Sequence, residues 1–174
     1  GSGLGIEMLA DIVEGVARGC RAHGMDLAGG ETAQMPGLYA PGHFDLAGTI
    51  VGVVEEDEAL HGDGVVPGDL LLGYASTGLH TNGYTLARKI AAQDLGLGVG
   101  DLWPGLGMTV ADAFLAVHRS YARAVTPVLP RLHALAHITG GGIPGNLVRV
   151  LPKGCKAVVD PGTWEWPPLF RLLQ

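Results

Sequence analysis

Three short stretches set polar side chains among glycines, each directly after an apolar run: Gly29-Gly30-Glu31-Thr32, Ser76-Thr77-Gly78-Leu79-His80-Thr81-Asn82, and His137-Ile138-Thr139-Gly140-Gly141-Gly142. In the first, the Glu31 carboxylate stands among bare backbone. That suits Mg²⁺ on phosphate, because this cation takes one or two carboxylates and fills its other positions with water and phosphate oxygens. An exposed glutamate on a Gly-Gly turn is the equally weighted alternative. In the second, a hydroxyl, an imidazole and an amide converge between a predicted strand and a predicted helix. Free N–H groups and the positive end of the helix dipole favour an anion there, and the same dipole disfavours a charged His80. Capping of that helix by Thr81 or Asn82 is the simpler alternative. In the third, three consecutive glycines are costly to order, by up to ~1 kcal/mol each relative to alanine, so their backbone is expected to approach something closely. GxxxxGK[ST] and GxSxG are absent, which excludes a Walker-type loop and a hydrolase elbow. His23, His61, His118 and His133 read as structural or surface residues, and Trp164 and Trp166 as packing groups.

The elements that must position these stretches follow from periodicity. Leu9, Ile12, Val13, Val16, Ala17 and Cys20 make one apolar face of a helix, with Gly24 as its stop. Residues 25–28, 44–55, 69–75, 134–138 and 155–160 are predicted strands. Helices are predicted over about 82–93, from 109 to about 125, over 144–151 and from 164 onward. Thr109 and Asp112 have capping-box spacing. Residues 94–108, rich in glycine, are expected to form an exposed loop. The fold class is therefore α+β (mixed α/β), with a domain boundary near Gly68 that separates residues 1–67 from 68–174.

Composition narrows the function. Hydrophobic residues make up 47 % and charged residues 16 % of the 174, which requires a packed core rather than disorder. Glycine, at 29 residues, is more than twice as frequent as the ordinary ~7 %, so it serves local backbone purposes in a folded chain. Eleven basic against 17 acidic side chains give a net charge of −6 without a basic cluster, so nucleic acid is not expected as a partner. Cys20 and Cys155 are the two cysteines and are far apart, which speaks against a disulfide framework and fits a cytoplasmic location. No apolar run reaches the ~18 residues of a membrane span. The apolar helix at residues 164–174 reads as one cut inside a longer protein.

GGETAQMPG (29–37), TGLHTNGYT (77–85) and HITGGGIPGN (137–146), in this order, together closely resemble the phosphoribosylformylglycinamidine cyclo-ligase family, the aminoimidazole ribonucleotide synthetases. The intervening FDLAGTIVGVVE, PGDLLLGYAS, VLPKG and WEWP resemble it too, so the similarity spans nearly the whole chain. Gln34 and Gly145 depart from the family's pattern, where acidic residues are usual. The resemblance implies a two-domain enzyme about twice this length. The first domains of two subunits would build a shared β-barrel in a homodimer, and ATP with Mg²⁺ would bind in a cleft lined by both domains. It implies ring closure of formylglycinamidine ribonucleotide to 5-aminoimidazole ribonucleotide in purine synthesis. It also implies that Glu31 serves the metal, that His80 and His137 are catalytic, and that Gly29, Gly30, Thr32, Asn82, Thr139, Gly140, Gly141 and Gly142 hold ATP or phosphate. Residues 1–67 would then end the barrel-forming domain and residues 68–174 would begin the second. The family's lysine-bearing glycine-rich start and DGVGTK-like segment would precede Gly1, so this piece alone is expected to be inactive. A related small-molecule phosphotransferase and a non-catalytic dimerisation module are the alternatives.

Overall fold

The computed structural model describes residues 1–174 and resolves into two compact units, Gly1–Val54 and Glu55–Gln174. The acidic connection 55–67 falls with the second unit, ahead of the boundary expected near Gly68. Its contacts explain this. A Cβ on Gly62 would come within 2.5 Å of the Val150 carbonyl oxygen, Gly64 lies against the His133 ring, and Asp69 bonds His133 at 2.8 Å.

The first unit is organised by α1, Ile6–Ala22. The predicted apolar face is present: Leu9, Ile12, Ala17 and Cys20 are half-buried, while Val13 and Val16 remain exposed. On the other face Glu14 accepts from Arg21 at 2.8 Å, an exposed pair worth little. The helix stops as its sequence predicts. Gly24 takes φ 65°, its N–H reaches the Arg21 carbonyl, and the Met25 N–H reaches that of Cys20, which is a Schellman pair. Gly1 and Ser2 are stitched to residues 33–35 and 42–43 by backbone hydrogen bonds, and the Gln34 side chain accepts from the Gly3 N–H. Gln34, at a position where an acidic residue is usual in the family that the sequence resembles, therefore anchors the start of the chain.

The second unit contains α2 (Tyr84–Lys89), continued by a π-helical turn at Ile90–Asp94, then α3 (Val110–Phe114), α4 (Ala122–Val125), α5 (Gly142–Leu147) and α6 (Pro168–Leu172). Its core centres on Trp103, 1 % exposed, with Ala91, Val110, Ala113 and Leu169 around it, and Leu79, Phe114 and Leu173 packed outside them. The loop expected to be exposed is thus the centre of this unit. It is closed by its own backbone: Trp103 N–H to Met108 O, Val110 N–H to Asp101 O, Ala111 N–H to Val99 O. Thr109 and Asp112 form the expected capping box at the start of α3.

Two expectations are corrected. The helix predicted from 109 to 125 breaks after Phe114, because the Val117 carbonyl and the Arg119 amide bond the 76–80 turn instead of their own helix. The predicted strands form no β-ladder; the only bridges are Pro36 with Tyr39 and Leu102 with Thr109. Their apolar side chains stay in solvent, with Val51 87 % and Leu70 87 % exposed. A helix closes its hydrogen bonds within one turn, whereas a strand takes its partner from elsewhere in the sequence, and here no such segment lies beside them.

Candidate functional site

The second and third polar stretches meet in the Glu55–Gln174 unit. The turn 76–82 is built from unusual backbone: His80 and Thr81 take φ of 48° and 67°, and Gly83 follows at 85°. A β-branched residue at positive φ is strained by about 1–3 kcal/mol and persists only where its surroundings hold it. They do so through residues 113–121. The Thr77 hydroxyl donates to the Val117 carbonyl at 2.8 Å, and the Arg119 guanidinium and the Tyr121 hydroxyl both donate to the Ala75 carbonyl at 3.2 Å. The Tyr84 hydroxyl donates to the Phe114 carbonyl at 2.9 Å.

The His80 ring is half-buried, and its Nε2 accepts from the Thr77 amide at 2.9 Å. The His118 ring stacks on it, centroids 3.8 Å apart and planes 23° apart. His137 lies 6.1 Å from His118, and Tyr121 6.2 Å from His80. Burial lowers the pKa of His80, and the neighbouring His118, Arg119 and His137 lower it further. The shift runs in the direction expected from the sequence, but its causes are burial and neighbouring cationic groups rather than a helix dipole. Neither Thr81 nor Asn82 caps α2, whose N-cap is Gly83, and its α-helical part spans only six residues. The fixed charge at this junction is the Arg119 guanidinium, held on the Ala75 carbonyl.

The third stretch supplies the opposing wall. The Asn82 side-chain oxygen sits 3.3 Å from where a Cβ on Gly140 would be, so a larger residue there would push Asn82 aside. Asn146, 4 % exposed, secures the glycines from behind. It accepts from the Thr139 hydroxyl at 3.0 Å and donates to the Gly142 carbonyl at 2.8 Å. A Cβ on Gly141 would lie 3.2 Å from Asn146 Nδ2, and Gly142 takes φ 63°. Close packing therefore accounts for Gly140 and Gly141, and left-handed backbone for Gly142. The structure thus gathers His80, Asn82, His137, Thr139 and the three glycines. It adds His118, Arg119 and Asn146, which the sequence reading had left aside. Arg119 sits two residues before Tyr121 and next to His118, a polar run inside a predicted amphipathic helix; that irregularity was the available signal.

The first stretch lies in the Gly1–Val54 unit. Glu31 is exposed and accepts only from the adjacent Thr32 amide, at 3.2 Å, and Gly29 has φ 152°. No group of three His, Cys, Asp or Glu side chains is placed to hold a metal ion. Glu31 offers one hard carboxylate, a donor that fits Mg²⁺ only where phosphate and water complete the shell. Elsewhere, an open depression of about 160 Å³ is lined by residues 59–64, Leu132 and His133. It lies beside the Asp69–His133 pair, which holds the Asp69 carboxyl below its usual range.

Residues 66–174 match the family model described as AIR synthase related protein, C-terminal domain, and residues 2–54 match its N-terminal counterpart. The chain belongs to the AIR synthase related family. Membership assigns it an α/β-type fold, and the two matches leave residues 55–65 between them. Among curated relatives, the phosphoribosylformylglycinamidine cyclo-ligases of Geotalea daltonii and Geobacter sulfurreducens are each 50 % identical over 167 residues, covering 95 % of this chain and 48 % of the relative. That of Sorangium cellulosum is 46 % identical over 175 residues, covering 98 % of this chain and 50 % of the relative. The chain spans about half the length of the curated relatives it matches. None of its helices is long and apolar enough to cross a membrane.

Proposed function

We propose that this chain is part of an ATP-dependent cyclo-ligase that closes the imidazole ring of 5-aminoimidazole ribonucleotide in purine synthesis. The observation that carries the reading is the meeting of the His80–Asn82 turn with the Thr139–Gly142 turn, beside Arg119 and three imidazoles, in a chain 50 % identical to enzymes of that name. ATP phosphorylates the formyl amide oxygen of formylglycinamidine ribonucleotide and ADP leaves. The amidine nitrogen then attacks the activated carbon, loses a proton, and phosphate departs with the former amide oxygen. Such a reaction needs oriented donors for phosphoryl oxygens, held before the reaction starts. Arg119, Asn82 and the backbone N–H groups of the glycine turn supply them. Mg²⁺, when bound with ATP, screens phosphate charge, and Glu31 supplies one of its carboxylate oxygens; Gly29, Gly30 and Thr32 let the phosphates approach.

In this reading the predicted strands over 44–55, 69–75 and 155–160 pair with segments supplied by the remainder of the protein and by a second subunit, whose first domains share a barrel. Residues 1–67 belong to the barrel-forming domain and residues 68–174 to the second, in a cytoplasmic homodimer. The test is the complete protein, supplied with formylglycinamidine ribonucleotide, ATP and Mg²⁺. One phosphate released per imidazole ring formed is expected. A stable phosphorylated product without ring closure would instead place the protein among phosphotransferases. The 174-residue chain alone is expected to give neither.

A further inference from the structure

The role open to His80 depends on which ring nitrogen carries its proton. Two backbone amides point at Nε2, that of Thr77 at 2.9 Å and that of Arg119 at 3.4 Å. Peptide planarity fixes both hydrogens, so neither can turn away. A nitrogen that receives N–H groups must present a lone pair, hence Nε2 is unprotonated. The Thr77 hydroxyl, 2.8 Å from this nitrogen and 2.8 Å from the Val117 carbonyl oxygen, is a rotor that donates to either and does not oppose the assignment. All hydrogen bonds of the ring are made at Nε2. In the neutral ring the proton is left on Nδ1, which is free for a ligand.

We propose that His80 is locked as the Nδ1–H tautomer and donates a hydrogen bond to an anionic ligand oxygen, rather than serving as the base that removes a proton. Thr77 and Arg119 are positioning residues through their backbone amides, and His118 through its stacked ring. Protonating Nε2 would turn an N–H against two others and would put a cation on the His118 face, close to Arg119, with Tyr121 and His137 as the remaining neighbours. The lowered proton affinity of the ring runs the same way. The oxyanion as ligand rests on the ring-closing reading above; the tautomer does not.

Two-bond proton–nitrogen spectra of the ¹⁵N-labelled chain near neutral pH decide the tautomer, with the His80 signals identified by their loss in H80N. Expected are a bare Nε2 and a protonated Nδ1; a protonated Nε2 would overturn the proposal. Inorganic phosphate is then added. Its largest shift is expected at His80 Nδ1, with Nε2 stationary. Asparagine places its N–H where Nδ1 was and glutamine reaches only as far as Nε2, so H80N should keep the phosphate-induced shifts on the His118 ring and H80Q should lose them. A correct tautomer with no response to phosphate would uphold the lock and overturn the donor role, and with it the oxyanion reading of this turn.

Discussion

The turns around Glu31 and around His80 carry the same kind of sequence, an apolar run followed by glycines and polar side chains, and they end in opposite conditions. Glu31 bonds only the next residue's amide. His80 is reached by Thr77, by Arg119, 39 positions away, and by the stacked His118. Glycine with a polar side chain is therefore only an opportunity. It becomes a built site when a distant segment closes on it, and here residues 113–121 do so by giving up helical hydrogen bonds. The distinction also bears on strain: two successive non-glycine residues at positive φ occur at the second turn, where partners can sustain them, and not at the first.

The comparison is broken most severely by removing what supports the second turn. Leu79 packs on the cluster around Trp103, so Trp103→Ala should undermine the His80 turn from below. A buried tryptophan cut to alanine costs about 3–5 kcal/mol, a large part of the stability of a domain. Urea denaturation followed by circular dichroism should lose its cooperative transition. If the transition survives with an unchanged midpoint, the loop 94–108 is not the centre of this unit. The position was not legible in sequence, where five glycines and a proline around one tryptophan suggested solvent exposure. Helix stops and caps were legible, as Gly24 and Thr109 show, because their signals lie within a few residues of the effect. The closing of residues 113–121 on residues 75–80 was not, because periodicity favours one continuous helix and says nothing of a carbonyl 40 positions away.

Asn146→Ala should act next. It removes the acceptor of the Thr139 hydroxyl and the donor to the Gly142 carbonyl, and a buried polar group left unsatisfied costs about 1–3 kcal/mol. Asn146→Asp sharpens the test: an ionised carboxylate still accepts from Thr139 but cannot donate to Gly142. Both variants should lower the urea midpoint, and protease cleavage within residues 139–143 should become faster. Equal stability of N146D and wild type would mean that the bond to Gly142 contributes nothing.

The pH dependence separates the two turns without truncating a side chain. His80 binds its proton less readily in the folded chain than at the ordinary value of 6.5. Above that value neither state is protonated there. As pH falls below it, the unfolded chain takes up the proton first, so stability drops with pH until the folded ring also titrates. Denaturation midpoints measured from about pH 8 to about pH 5 should decline more steeply in wild type than in H80Q, whatever the absolute stability of the variant. Parallel slopes would contradict the desolvated, cation-flanked setting of His80.

The smallest effect belongs to Glu31, and it tests the other half of the contrast. Its carboxylate is exposed and its one hydrogen bond comes from the neighbouring amide. Substitutions at such positions usually change stability by no more than about 0.5 kcal/mol. Glu31→Ala should therefore leave the urea midpoint of this chain where it was. In the complete protein, calorimetric titration with ATP and Mg²⁺ should instead show weakened binding, because a carboxylate with no structural duty is free to serve a metal that arrives with phosphate. A loss of stability in the isolated chain would show that Glu31 holds backbone together. Unchanged ATP and Mg²⁺ binding in the complete protein would leave the Gly-Gly turn as no more than a turn. The first result would erase the contrast in packing, and the second would leave packing as the only difference between the two turns.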